Sequence, residues 1–263
     1  MVAILTPGST RVFWSNQLSY VGGGSLIHPS VVLTAAHVVV RTSSHQNVRE
    51  PRVARRAPLC VRAGEWDTQT DKEPYPHQDR DVINLVVPRE YNRKNLYNDI
   101  ALLFLKIPVI LAPNVGLVCL PPPGQRALGG TRCLASGWGK DRFGLIGQYQ
   151  VIMKKIELPV VERVDCQNRL RRTRLGPYFQ LHGSFMCAGG EWGRDTCAGD
   201  GGSPLVCPVP FQKDRYVQSG IVSWGVGCGD HNTPGVYVDV AAVRTWIDRN
   251  VAAAGYDTSM YTL

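Results

Sequence analysis

The sequence predicts an all-β protein of two packed barrels that ends in a C-terminal helix. Three observations predict this fold class. The 263 residues include 27 glycines and 18 prolines, a content that favours many turns and short strands. Short β-branched and apolar segments recur in both halves without alternating with helices, which argues against an α/β sheet. The end of the chain carries an amphipathic helical pattern.

Seven strand-like segments are predicted in the first half, bounded by glycine, proline, asparagine or serine. They cover residues 1–5, 12–14, 24–27, 31–34, 60–63, 82–88 and 100–105. Five more are predicted in the second half, at residues 132–137, 150–158, 204–207, 216–224 and 235–240. Because both halves carry such segments, two barrels are predicted.

Two helices are predicted, at residues 162–170 and 241–254. In the second, Val243, Ile247 and Val251 recur at four-residue spacing, which is typical of one buried helical face. A proline-rich stretch at 120–124 is predicted to join the halves. The predicted division is residues 1–118 for the first barrel, 119–240 for the second, and 241–263 for the terminal helix and tail, together forming one domain.

Composition excludes several classes of function. Apolar residues make up 44% of the chain, so a disordered protein is excluded. Lys and Arg exceed Asp and Glu by 29 to 21, an excess too small and too dispersed to predict a nucleic-acid partner. No apolar run approaches the ~18 residues of a membrane helix, so no membrane span is predicted.

The eight cysteines indicate the compartment. None forms a Cys-x-x-Cys pair, so zinc and thioredoxin-type sites lack their spacing. An even number predicts disulfides and a secreted, extracellular protein, and the alternative is eight buried thiols in a cytosolic enzyme. The sequence opens Met-Val-Ala-Ile-Leu, without the features of a signal peptide. Secretion would then require a signal upstream of this fragment or an incomplete gene model.

Three segments carry candidate chemistry. His37 ends the segment Leu-Thr-Ala-Ala-His, and Asp99 lies in Asn-Asp-Ile-Ala-Leu-Leu. Residues 197–205 read Cys-Ala-Gly-Asp-Gly-Gly-Ser-Pro-Leu. A histidine, then an aspartate, then a glycine-rich turn is the chain order of chymotrypsin-type catalytic triads.

With these segments, the sequence resembles the chymotrypsin/trypsin-like serine proteases over almost its whole length. Further matches lie at residues 23–27, 137–139, 223–225 and 234–237. The resemblance implies two six-stranded barrels with the site in the cleft between them. The disulfides that it implies are Cys133–Cys207, Cys166–Cys187 and Cys197–Cys228.

The resemblance leaves two cysteines unassigned, and one disulfide of the family has no cysteines in this chain. Cys60 and Cys119 either bridge each other, or Cys119 bridges to a segment upstream of this sequence, and both alternatives stay open. The disulfide that usually locks the histidine loop is missing at both ends, where Gly22 and Val38 stand.

The glycine-rich segment departs from the family at the nucleophile. The family reads Gly-Asp-Ser-Gly-Gly-Pro, whereas this chain has Gly201 after Asp200 and its serine two residues later, at Ser203. Two residues move a side chain by roughly 6 Å, whereas base and nucleophile must lie about 2.6–3.2 Å apart. We therefore predict that peptidase activity is lost, and that His37 and Asp99 are a remnant triad. The alternative is that Ser203 substitutes through a rearranged loop.

A second departure concerns activation. Active relatives carry a new N-terminus of the Ile-Val-Gly-Gly kind that pairs with the aspartate before the nucleophile, here Asp200. This sequence contains no such segment. The specificity pocket and the oxyanion hole are therefore expected to stay loose, as in a zymogen.

The substrate pocket matches the family better than the catalytic segment does. Asp195 matches the acidic base of a trypsin-like pocket, and Gly225 and Gly235 match its two open wall positions. An aspartate in a narrow slot selects arginine or lysine. Either the pocket holds a basic side chain of a partner without cutting it, or it is inherited architecture with no ligand.

A finer resemblance points to arthropod clip-domain serine protease homologues, in particular the prophenoloxidase-activating factor 2-like group. It rests on residues 62–68, 77–82, 97–101, 139–141, 149–152, 159–161 and 188–191, together with Gly201. It implies a secreted haemolymph cofactor or adaptor without peptidase activity. The implied partners are proteins of a protease and prophenoloxidase cascade. The clip module is not in this sequence, and the oligomeric state is left open.

Two weaker signals complete the predictions. Basic runs at 49–56 and 169–174 are predicted to be a solvated loop and a helix end, with docking of an acidic partner as the alternative. No cofactor is predicted. Glu65 and Glu73 bracket a loop that binds calcium in some relatives, and a calcium ion at this loop is the alternative, although the spacing and the neighbouring Trp66 and Pro74 argue against it.

The competing functions are an active trypsin-like endopeptidase that uses Ser203, and a truncated product that does not fold stably.

Overall fold

The computed structural model describes residues 1–7, 13–14, 18–40, 58–70, 72–140, 147–197 and 199–263. Most of these residues belong to two β-barrels that pack side by side. The basic run predicted at 49–56 lies outside the described residues.

The first barrel is antiparallel. Its strands are β1 (Val2–Pro7), β2 (Phe13–Trp14), β3 (Leu18–His28), β4 (Val31–Thr34), β5 (Cys60–Ala63), β6 (Gln78–Val86) and β7 (Ala101–Leu105). Six of them follow the order β1-β5-β6-β7-β4-β3, and pairing of β1 with β3 closes the barrel. The short β2 pairs with the outer part of β3.

The second barrel is also closed and antiparallel. Its strands are β8 (Arg132–Gly137), β9 (Lys154–Val161), β10 (Phe185–Gly189), β11 (Pro204–Pro208), β12 (Tyr216–Trp224) and β13 (Pro234–Asp239). They follow the order β10-β13-β12-β11-β8-β9. The predicted all-β fold of two six-stranded barrels is therefore confirmed.

In the described part of the chain, three α-helices and one 3₁₀ helix accompany the barrels. They are α1 (Ala36–Val39), α2 (Arg163–Arg171), α3 (Val240–Ala253) and the 3₁₀ helix Thr258–Tyr261. The Asp239 side chain accepts a hydrogen bond from the Ala242 amide and caps α3. The predicted face of Val243, Ile247 and Val251 is buried in a core cluster with residues from both barrels, so α3 closes the molecule on one side.

The strand predictions fail where polar or glycine-rich sequence hides a strand. Strand β3 runs through a glycine run and is longer than the predicted 24–27. Strand β6 begins four residues before the predicted 82, because its first residues are polar and lie on the barrel's outer face. Strand β9 starts and ends later than the predicted 150–158. Strand β10 was not predicted, because five residues ending in glycine give too short an alternating pattern.

The interface between the barrels is built around Trp138, which is fully buried. Its ring meets Tyr20 edge to face with the centroids 6.2 Å apart. Ala3 and Leu5 of β1 belong to the same buried cluster, and the indole N–H donates to the Trp66 carbonyl oxygen. These contacts therefore join the residue that follows β8 of one barrel to β1 and β3 of the other.

The predicted disulfides Cys133–Cys207, Cys166–Cys187 and Cys197–Cys228 are confirmed. All of them lie in the second barrel and its loops. Cys60 and Cys119 are free thiols, so the bridge between them that the sequence left open is absent from the structure. Burial raises the pKa of the Cys60 thiol to about 11, which keeps this thiol protonated and unreactive at neutral pH.

Candidate functional site

The structure brings His37 and Asp99 together in the cleft. His37 lies in α1, directly after β4, and Asp99 lies just before β7. The imidazole Nδ1 is 2.6 Å from Asp99 Oδ2, and the His37 backbone amide donates to Oδ1 at 2.8 Å. Asp99 is fully buried, so these contacts hold the imidazole in one orientation with Nε2 directed away from the carboxylate.

Ser223 is a third partner of this pair that the sequence analysis did not assign. Its hydroxyl donates to Asp99 Oδ2 at 2.6 Å. The segment 223–225 was recognised as a match to the family, but nothing in the pattern showed that its serine reaches a residue 124 positions away.

The position opposite His37 Nε2 is occupied by Gly201. A Cβ atom built on Gly201 would lie 2.5 Å from Nε2 and 3.1 Å from the neighbouring ring carbon. Real Cβ atoms do not approach other atoms so closely, so the imidazole occupies space that a side chain at position 201 would need. The base therefore faces a hydrogen atom where a nucleophile would stand.

The displaced serine does not replace the nucleophile in this structure. Ser203 is fully buried, and its hydroxyl lies close to the backbone of Gly23 and Gly137 at the barrel interface. Among the described residues, no hydrogen bond joins Ser203 to His37. A buried hydroxyl directed into the barrel interface is out of reach of a substrate in the cleft.

The missing disulfide of the histidine loop is replaced by packing. A Cβ atom on Gly22 would lie 2.7 and 2.9 Å from the two methyl carbons of Val38. The two positions are therefore in contact, as the resemblance implied. The Val38 side chain takes the space of the absent bridge and also lies next to Gly201.

Asp195 lies in a cavity of about 160 Å³ that extends to His37 and Gly201. Its Oδ2 accepts a hydrogen bond from the Gly229 amide at 3.1 Å, whereas Oδ1 is buried without a hydrogen-bond partner. Burial raises the pKa of this carboxyl to about 6. The cavity therefore ends in a poorly solvated acceptor, the kind of group that pairs with a cation.

The walls of this cavity include the two glycines named from the sequence. Gly225 and Gly235 both line it, together with Trp224. A Cβ atom on Gly235 would lie only 3.0 Å from Asp195 Oδ1, so glycine keeps the acceptor open to the cavity. The structure thus places all three predicted substrate-binding residues in one cavity.

A family model described as Trypsin matches residues 5–247. The chain belongs to the trypsin family. The match spans both barrels and all the site residues described above, so the fold and the cleft are those of this family.

Curated relatives within the trypsin family carry informative names. The chain is 62% identical over 243 residues to "Phenoloxidase-activating factor 2" of Galleria mellonella, covering 92% of this chain and 76% of that protein. It is 42% identical to "Inactive CLIP domain-containing serine protease A8" of Anopheles gambiae, covering 95% of this chain and 64% of the relative. It is 46% identical to "Inactive CLIP domain-containing serine protease A3" of Aedes aegypti, covering 89% of this chain and 47% of the relative.

Asp200 has two backbone partners in this member of the trypsin family. The Gly139 amide donates to Oδ1 and the Cys197 amide donates to Oδ2, both at 2.9 Å. Burial raises the pKa of the Asp200 carboxyl, and the two amides oppose that shift. The carboxylate before the nucleophile position is thus held by the backbone on both oxygens.

Glu65 and Glu73, which bracket the loop considered for calcium, both contact other protein groups. Glu65 Oε2 lies 3.2 Å from a guanidinium nitrogen of Arg62 and 3.4 Å from the imidazole Nδ1 of His77. Glu73 instead accepts a hydrogen bond from the Asp67 amide at 2.7 Å. The sequence analysis did not identify Arg62, which lies in β5, as a partner of Glu65.

Two further findings concern the described residues only. They contain no cluster of three or more histidine, cysteine, aspartate or glutamate side chains that could hold a metal ion. None of the helices in this part of the chain is both long and apolar enough to cross a membrane.

Proposed function

We propose that this chain is a catalytically inactive serine protease homologue that acts by binding other proteins in an extracellular phenoloxidase cascade of innate immunity. The observation that carries the proposal is the position of Gly201 opposite His37 Nε2, where a Cβ atom would lie 2.5 Å from that nitrogen. A base that faces hydrogen has no group to activate, and loss of the nucleophile costs on the order of 10⁶-fold in kcat. The names of the relatives support the cascade and the inactive state.

The retained cleft supports a binding role. Asp195 keeps an open oxygen at the end of its cavity, and the His37–Asp99 pair still forms the opposite rim. We propose that an arginine or lysine side chain of a partner protein enters this cavity and pairs with Asp195. The partner is then held without being cut.

The inactive state is tested with a fluorophosphonate probe and an arginine chromogenic substrate. We expect no labelling of the protein, and turnover on the order of 10⁶-fold below that of an active trypsin assayed in parallel. The Ser203→Ala variant is the matched control and should behave as the unmodified protein does. Labelling at Ser203, or turnover that disappears in Ser203→Ala, would show that the chain is an active endopeptidase.

Binding to the Asp195 cavity should depend on pH. Benzamidine carries the cationic group of an arginine side chain, and it pairs only with the ionised carboxylate. With a pKa of about 6, Asp195 is mostly protonated at pH 5 and mostly ionised at pH 7. Benzamidine affinity, measured by calorimetry, should therefore rise about tenfold from pH 5 to pH 7.

The Asp195→Asn variant controls for other groups in the cleft, such as His37. It should bind benzamidine weakly and with no rise in affinity across the same pH range. If the variant keeps the full pH dependence, a different group titrates and the assignment of Asp195 is wrong.

A further inference from the structure

The segment between Asp165 and Glu191 carries positively charged side chains and no negatively charged ones. It contains no aspartate or glutamate, and it carries the four arginines Arg169, Arg171, Arg172 and Arg174. Arg169 forms an ion pair with Asp165 across one turn of α2. The other three follow at the end of that helix, with Arg172 and Arg174 exposed. This surface therefore has an excess of positive charge that the cascade proposal does not use.

Arginines in and after α2 are positioned by carbonyl oxygens of the segment 179–185. Arg171 Nε donates to the Phe179 carbonyl at 2.9 Å. Arg163 donates to the carbonyls of Phe185, at 3.0 Å, and Leu181. A carbonyl group orients a guanidinium without neutralising its charge, so these side chains stay cationic and held in place.

A second basic segment lies beside the first. The Tyr97 ring stacks on His182 with the ring centroids 4.0 Å apart, and the Asn98 amide donates to the Ser184 hydroxyl at 3.2 Å. These contacts bring the exposed Arg93 and its neighbour Lys94 towards the segment 179–185. We call the combined surface the arginine patch. It consists of Arg93, Lys94, Arg163, Arg171, Arg172 and Arg174.

Carbonyl groups, rather than carboxylates, contact the held side chains of the arginine patch. Within the described part of the chain, none of its six side chains forms an ion pair with an aspartate or a glutamate. Arg93 donates to the Val40 carbonyl instead. Clustering like charges at a surface costs free energy, and an anionic partner would recover it.

Aromatic side chains beside the patch favour a protein partner. Tyr178 is 93% exposed in the turn that follows the arginines. Its neighbour Phe179 packs edge to face on Trp224, with the centroids 6.1 Å apart, and Trp224 lines the Asp195 cavity. Exposed tyrosine among arginines is the composition of protein-binding hot spots, and the patch is continuous with the cleft.

We propose that the arginine patch binds a carboxylate-rich segment of a partner protein. Guanidinium groups match carboxylates with two parallel hydrogen bonds, and the held arginines lose little freedom on binding. The inference goes beyond the role of the cleft, because it assigns a second surface and an acidic partner segment. It does not require a ligand in the Asp195 cavity.

The test uses the full chain and a fluorescent glutamate-rich peptide of about twelve residues, read by anisotropy. The Arg172→Glu/Arg174→Glu variant should raise Kd about tenfold or more, because each change removes an attraction and adds a repulsion. The Lys213→Glu/Arg215→Glu variant is the matched control. It makes the same change in net charge in an exposed turn away from the patch, and it should stay within about twofold of the unmodified protein.

Other outcomes would overturn the proposal. An equal loss of affinity in both variants would show that net charge alone attracts the peptide. If the peptide does not bind, the patch does not recognise an acidic protein segment and the proposal is wrong. Binding of a sulfated polysaccharide without binding of the peptide would lead to the same conclusion. Circular dichroism checks that the variants fold. If the Arg172→Glu/Arg174→Glu variant does not fold, the Arg172→Ala/Arg174→Ala variant is measured in its place.

Discussion

Gly201→Ser is expected to leave the turnover of an arginine chromogenic substrate within about tenfold of the unmodified protein, although it restores the residue types of a triad. A Cβ atom at this position would lie 2.5 Å from His37 Nε2. A triad instead requires the serine oxygen at about 2.6–3.2 Å from that nitrogen. The imidazole must therefore move aside, and moving it stretches the 2.6 Å contact with Asp99.

Gly201→Ala separates the steric effect from the chemical one. It adds the same carbon atom without the hydroxyl, so both variants should lose about 1–3 kcal/mol in free energy of unfolding. Fluorophosphonate labelling gives an independent measure of nucleophile activation in Gly201→Ser. A gain in turnover of more than about 10³-fold from this single change would show that the His37 imidazole moves aside at little cost. The steric argument would then be wrong.

Trp138→Ala is expected to be the most destabilising substitution considered for this chain. The side chain is fully buried between the barrels and contacts residues of both. Truncating a buried tryptophan costs about 3–5 kcal/mol, because apolar contacts are lost and a cavity is left behind. Urea denaturation with the disulfides intact should show a loss of this size in the free energy of unfolding.

Trp192→Ala is the matched control for that measurement. Trp192 is 79% exposed, so its removal should change the free energy of unfolding by less than about 0.5 kcal/mol. A loss below about 1 kcal/mol for Trp138→Ala would contradict the role of this side chain at the barrel interface. Benzamidine affinity should also fall in Trp138→Ala, because the cleft loses its support.

The fold was largely predictable because its elements depend on local patterns. Alternating apolar residues, turn residues and the four-residue spacing in α3 identify strands and a helix from neighbours in the chain. Strand β10 was missed for the same reason. It is five residues long, and its position in the sheet comes from pairing with β13 and β9, which are distant in the sequence.

The candidate site was predicted only in part. The order of His37, Asp99 and Gly201 and the acidic residue Asp195 could be recognised from the sequence through the family resemblance. The hydrogen bond from Ser223 to Asp99 and the contact of Arg62 with Glu65 could not. These partners depend on which side chains meet after the barrels pack, and no local spacing encodes that meeting.

The sequence by itself predicted that this chain folds as two barrels. Through the family resemblance, it also implied three disulfides in the second half and a glycine where the family has its nucleophile. Only the tertiary structure decided that Ser203 is directed into the barrel interface and that His37 fills the space beside Gly201. The physical reason is that a side chain's reach and direction follow from close packing between segments far apart in the chain. Residue identity and local sequence patterns can be recognised without knowledge of that packing.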